Sequence, residues 1–251
     1  MKFQCIEYAL ISALGALVGI FVSRCVASYE IKNRYFLINV ITAVLFCACW
    51  SMPLMSQKLA GMIFSCLLLI GVLIDYKCFI LPDSITVGGA MIGLLVAVLM
   101  PSVFGHGQYS PQMINSFYAI RDSVLGLMVG TGSIIWIAIL AEKCFKKEAM
   151  GFGDALFCGM IGTFIGWQGA LFSIFGGSVL GVVLLGIFWG LEKLFNIRLI
   201  PRAPHAAVEN EDIRPEDVEL QIGVIVPFGP FLGLGAMVYL FLDERIGIYW
   251  S

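Results

Sequence analysis

Asp75 and Asp154 are the residues of this chain best placed to do chemistry, because each stands at the edge of an apolar run. Asp75 closes LLLIGVLI, and Asp154 opens ALFCGMIG. A carboxylate at the rim of a lipid-embedded segment is costly, so its presence marks a functional position. Two carboxylates on different segments meet the requirement of acid–base hydrolysis. One, ionised, takes a proton from water; the other, protonated, polarises the bond under attack. Close carboxylates divide one proton between them because both cannot ionise together. Asp154 falls at a helix N-terminus and Asp75 at a helix C-terminus. Helix dipoles then make Asp154 the expected base and Asp75 the expected acid. The competing reading of Asp154 is an ordinary helix N-cap after a glycine turn.

The flanking residues support the second motif. Gly151 and Gly153 are expected to let the backbone turn tightly into the helix and let a substrate approach. Asp83, in LPDSIT, reads as the capping start of the next helix, and Glu148, in KKEAMG, as a solvated loop charge; both remain supporting candidates. His106 lies in a polar loop and is expected to be solvated. The eight cysteines form no CxxC, so neither a zinc site nor a disulfide framework is expected, and no metal is assigned.

The elements that must hold these residues are membrane helices. The chain of 251 residues is 60% hydrophobic and 13% charged. A soluble protein is about half apolar and about a quarter charged. Apolar runs predict eight spans, at 8–26, 35–55, 59–74, 85–100, 123–141, 155–167, 170–195 and 222–242. The sixth is short and glycine-rich, which would thin the local barrier and admit water. The first is expected to be a retained span rather than a cleaved signal. With eight spans, eleven of the 15 Lys and Arg residues fall in one set of loops and four in the other. The positive-inside rule then puts both termini outside the cytoplasm and both aspartates at its face. The fold class is therefore an all-α, multi-pass membrane protein with one domain over 1–251. Residues 101–122 read as a polar outer loop, and 201–221 as an acidic cytoplasmic one. Membrane lipid is the expected surrounding, and no nucleic acid partner is expected.

These residues resemble a known family, the type IV prepilin peptidases, which are aspartic peptidases of the Gly-x-Gly-Asp class. The stretch 147–167, KEAMGFGDALFCGMIGTFIGW, looks like the family signature; 75–83, DYKCFILPD, resembles its first aspartate motif; 226–236, VPFGPFLGLGA, resembles its C-terminal helix. Residues 15–24 and 33–46 are also similar. The resemblance implies that Asp75 and Asp154 are the catalytic pair. It implies removal of a short basic leader from prepilin or pseudopilin precursors at the cytoplasmic face of the bacterial inner membrane. It further implies N-methylation of the new terminus with S-adenosylmethionine in many members; proteolysis itself calls for no cofactor.

The chain departs from the family pattern in two places. Many members carry a zinc-binding insert with paired CxxC motifs between the first two spans, and only VASYEIKN lies between Cys25 and Arg34 here. That leaves proteolysis untouched and bears on methylation, which is still expected to be retained. Where many members have lysine, this chain has Leu156. The alternatives are a presenilin-like peptidase with other membrane substrates, and a transporter or inactive assembly factor of a pilus or secretion system.

Overall fold

The computed structural model describes residues 2–27, 35–106, 112–145, 151–195 and 227–246. The described residues form seven α-helices and one short 3-10 turn, with no strand. They are α1 (Lys2–Ala27), α2 (Tyr35–Trp50), α3 (Met55–Cys78), α4 (Asp83–Leu99), α5 (Gln112–Phe145), α6 (Phe152–Phe195) and α7 (Gly229–Ile246), with the 3-10 turn at Pro101–Phe104. Four helices contain segments long and apolar enough to cross a membrane: Ile6–Ala27, Met55–Cys78, Gln112–Cys144 and Phe152–Leu191. Tyr35–Trp50, Asp83–Leu99 and Gly229–Leu242 are shorter apolar helices. Large apolar side chains cover the outside, with Phe36, Met113 and Leu194 each more than three-quarters exposed. In water so much exposed apolar surface would drive association; hydrocarbon accommodates it.

The 44 residues of α6 are not one straight rod. Gly166 has φ 73° and ψ −179°, a conformation available to glycine and strained for other residues. The chain reverses there. Twelve residues of straight helix would separate Cys158 from Ala170 by about 18 Å, yet Cys158 Sγ lies 3.9 Å from the Ala170 carbonyl oxygen. The two arms, 152–165 and 167–195, thus run antiparallel, and the break falls where the expected sixth and seventh spans divide. The first arm is only about 21 Å long.

Close approach of small residues sets the packing. In α5, Gly126 lies against the Gly162 backbone and Gly130 against the Cys158 carbonyl, so a side chain at either position would collide with backbone of α6. Backbones that approach this closely gain dispersion contacts, which replace the hydrophobic drive missing in lipid. Two hydroxyls bond across helices: Ser123 Oγ donates to the Thr163 carbonyl at 2.8 Å, and Ser173 Oγ to the Leu232 carbonyl at 2.6 Å. Each such bond contributes about 0.6 kcal/mol. Phe64, Phe157, Met160 and Phe164 fill the centre between α3 and the first arm of α6.

The contacts fix an alternating up-and-down order. Phe64 stacks on Phe164 while Gly71 meets Phe157, so α3 and the first arm are antiparallel. Ser173 meets Gly235 while Gly181 meets Phe231, so α7 opposes the second arm. One end of the bundle collects the C-terminal ends of α1, α3, α5 and α6 with the N-terminal ends of α2, α4, α6 and α7. Arg24, Lys77, Lys143 and Lys193 lie in the last turns of helices at this end.

Some expected boundaries move. Helix α5 starts at Gln112, eleven residues before the expected span, so 112–122 is helix and Pro101–Phe104 a 3-10 turn where a polar loop was expected. Met113, Ile114, Phe117 and Tyr118 extend the apolar pattern, and the polar residues among them hid it. Helix α3 runs to Cys78, so Asp75 lies within the helix rather than after it. His106 is not simply solvated: its Nε2 lies 2.7 Å from Asp122 Oδ2. Residues 201–221 and Glu148 lie outside the described residues, as do the first residues of the expected last span.

Candidate active site

Helix α3 delivers Asp75 to the basic end of the bundle and then stops sharply. The Asp75 carbonyl accepts the Phe79 N–H at 2.9 Å, and Phe79 adopts φ 55° and ψ 26°. Phe79 is the one described non-glycine residue with positive φ. Left-handed backbone costs a bulky L-residue about 1–2 kcal/mol, so the surrounding structure must hold it there. The turn after it buries Leu81, and the N-terminus of α6 seats on that residue. A Cβ on Gly153 would stand 3.1 Å from Leu81 Cβ. The α3–α4 connection thereby sets where Asp154 begins its helix.

Asp154 is the third residue of α6, and its N–H donates to the Gly151 carbonyl at 3.2 Å. It is half-buried and close enough to Asp75 for the two carboxylates to interact electrostatically. Asp75 itself is only 5% exposed. Its Oδ2 accepts the backbone N–H of Gly229, the first residue of α7, at 2.9 Å. Three helices remote in sequence thus meet at this point.

Gly229 escaped the reading of the sequence as a site residue, although it stands in the PFGPFL stretch that carried part of the resemblance. Its lack of a side chain is what admits Asp75: a Cβ there would lie 2.6 Å from Oδ2 and 3.0 Å from Cγ. The contact also removes the ground for dividing roles by helix dipole. Asp75 lies at the C-terminal end of α3 and faces the N-terminal end of α7, so opposite dipole ends meet at one carboxyl. Because Oδ2 is held by a donor, Oδ1 is the oxygen left for a proton, a water or a substrate atom.

The supporting residues divide. Neither Gly151 nor Gly153 has positive φ, so neither is required by a tight turn. Gly153 is needed for space against Leu81, whereas a Cβ on Gly151 would meet only Asp154 Oδ2, at 3.9 Å, leaving that approach open. Asp83 is the exposed first residue of α4, and Pro82 occupies the N-cap position instead of it. Asp83 therefore acts through the helix dipole in the first turn, not as a cap. Among the described residues no group of three or more His, Cys, Asp or Glu could hold a metal ion.

The described residues define an all-helical protein with spans suited to a bilayer and two carboxylates within electrostatic reach of each other at one end of the bundle. Residues 62–186 match the type IV leader peptidase family, so the chain carries a domain of that family, with both aspartates inside it. It is 29% identical over 188 residues to the prepilin leader peptidase/N-methyltransferase of Pectobacterium carotovorum, covering 74% of this chain and 61% of that protein. It is 31% identical over 215 residues to the type 4 prepilin-like proteins leader peptide-processing enzyme of Escherichia coli O78:H11, covering 85% and 63%. The corresponding figures for the Myxococcus xanthus prepilin leader peptidase/N-methyltransferase are 30% over 164 residues, 62% and 43%. The chain spans less than two thirds of the length of each of these relatives. No solved structure matches it.

Proposed function

We propose that this chain is a membrane aspartic endopeptidase that cuts the basic leader from prepilin or pseudopilin precursors, with Asp75 and Asp154 as its catalytic pair. The observation that carries this reading is that the two carboxylates lie at one end of the bundle within electrostatic reach of each other, inside the matched family domain. One carboxylate takes a proton from water as the oxygen attacks the scissile carbonyl. The other, protonated, donates a hydrogen bond to the developing oxyanion. The tetrahedral intermediate collapses when the C–N bond breaks and the amine leaves with a proton from the pair. The Gly229 amide orients Asp75 so that Oδ1 faces this chemistry. Processing of a pilin precursor, in cells lacking their own prepilin peptidase and supplied with this chain, tests the reading. Mature pilin supports it, and unprocessed precursor with normal amounts of the chain in the membrane contradicts it.

The reading includes eight crossings, with the two arms of α6 counted separately, both termini outside, and the aspartate end at the cytoplasmic face of the inner membrane. A precursor with a basic leader and an apolar helix would present its cleavage site at that interface. In a variant without native thiols, a cysteine at Lys143 is expected to be shielded from impermeant reagent added outside, and a cysteine at His106 to react. The reverse pattern would overturn the orientation.

N-methylation of the new terminus, an activity in the names of the Pectobacterium and Myxococcus relatives, belongs to the same reading. Two cavities among the described residues, one lined by Phe64 and Gly166 and the other by Ser133 and Trp136, lie away from the aspartates, so neither offers S-adenosylmethionine a seat beside the cleaved bond. Mass spectrometry of mature pilin, made where this chain is the sole such enzyme, is expected to show the added methyl group. Complete leader removal without it would restrict the chain to proteolysis.

A further inference from the structure

At the end of the bundle opposite the aspartates, a cavity of about 290 Å³ opens beside the Gly166 reversal. Its floor is apolar and its rim polar. The floor includes Phe64 and Phe164, whose rings stack with centroids 5.0 Å apart. The rim includes Gln57, Arg121 and Gln168.

Uncommitted donors remain on that rim, together with the carbonyl oxygen of Gln168. Arg121 Nε and Nη2 donate to Asp122 Oδ1 at 3.0 and 2.9 Å, which leaves Nη1 uncommitted. Asp122 has both oxygens engaged, Oδ1 by Arg121 and Oδ2 by His106 Nε2 at 2.7 Å. Gln57 Oε1 accepts the Leu54 N–H at 3.4 Å, so its amide nitrogen is what remains. The Gln168 amide is half-buried and makes no hydrogen bond among the described residues. A site offering guanidinium and amide N–H groups over an aromatic floor suits an anionic oxyacid joined to an apolar body.

We propose that this cavity binds a phospholipid of the adjoining leaflet, its phosphate on Arg121 and Gln168 and its apolar part over Phe64 and Phe164. The inference is independent of the peptidase reading. It has a consequence for the rest of the molecule, because the two rings belong to the helices that carry the aspartates. Phe64 is about 16 Å along α3 from Asp75, and Phe164 about 15 Å along α6 from Asp154. An occupied cavity braces that helix pair from its far end.

Native mass spectrometry of the detergent-purified full chain tests the site, with phosphatidylglycerol as the probe and inorganic phosphate as the competitor. The wild-type chain is expected to retain the lipid. Arg121→Gln is expected to weaken retention about tenfold, the effect of losing one charge-assisted bond. Because Arg121→Gln also releases Asp122, Gln168→Leu provides a second variant, which removes an amide that makes no hydrogen bond among the described residues; several-fold weaker retention is expected. Retention unchanged in both variants would overturn the proposal. So would displacement of the lipid by inorganic phosphate at equal concentration, which would make the site one for the free anion.

Discussion

Asp75→Asn and Asp154→Asn are each expected to abolish precursor cleavage while the protein remains folded in the membrane. Each substitution keeps the side-chain size and removes only the charge and the exchangeable proton. An amide can neither take a proton from water nor give one to the departing amine. Loss of such a group lowers turnover by about a thousandfold or more. Because the residues act as one unit, the double variant should be no worse than either single one. Asp83→Asn is the matched control: it changes an exposed first-turn acid of α4 and is expected to process precursor near the wild-type rate. Immunodetection of precursor and mature pilin, normalised to the amount of enzyme in the membrane, reads all four. Near-normal processing by either single aspartate variant would contradict the paired-carboxylate mechanism.

The second large effect is expected at a residue with no side chain. Gly229→Ala would place a methyl group 2.6 Å from Asp75 Oδ2 and 3.2 Å from its Cβ, well inside contact distance. Something must move, and Asp75, itself buried, has little room. Overpacking of this kind costs about 1–3 kcal/mol. Displacement of a catalytic group by about 1 Å can cost a hundredfold in rate. The expected result is therefore at least a hundredfold loss of cleavage with the protein still present in the membrane. A purely structural role for Gly229 would instead lower abundance and activity in parallel. Measured melting in detergent beside cleavage per molecule separates the two.

The sequence readily shows which segments are helical, because long apolar runs leave few alternatives. It also shows the two aspartates, since a carboxylate stands out against LLLIGVLI or ALFCGMIG. The start of α5 was harder. Polar residues at Gln112, Asn115, Ser116 and Arg121 interrupt the apolar signal that Met113, Ile114, Phe117 and Tyr118 carry. The left-handed Phe79 could not be foreseen, because glycine is the usual residue at such a helix end. Gly229 was present in a stretch noted for its resemblance, yet its role depends on a contact 154 residues away in sequence. Local pattern carries no information about that contact. The same holds for the cavity near Gly166, whose polar rim is assembled from α3, α5 and α6.

The central claim is that this chain is itself the peptidase. The purified full chain, reconstituted in phospholipid vesicles with a purified pilin precursor and no other protein, tests it directly. The product is then sequenced from its N-terminus by mass spectrometry. The account predicts a single cut that separates the basic leader from the apolar helix, made by the wild-type chain and absent with Asp75→Asn or Asp154→Asn. Intact precursor after incubation with folded wild-type chain, or equal cleavage by the aspartate variants, would contradict it.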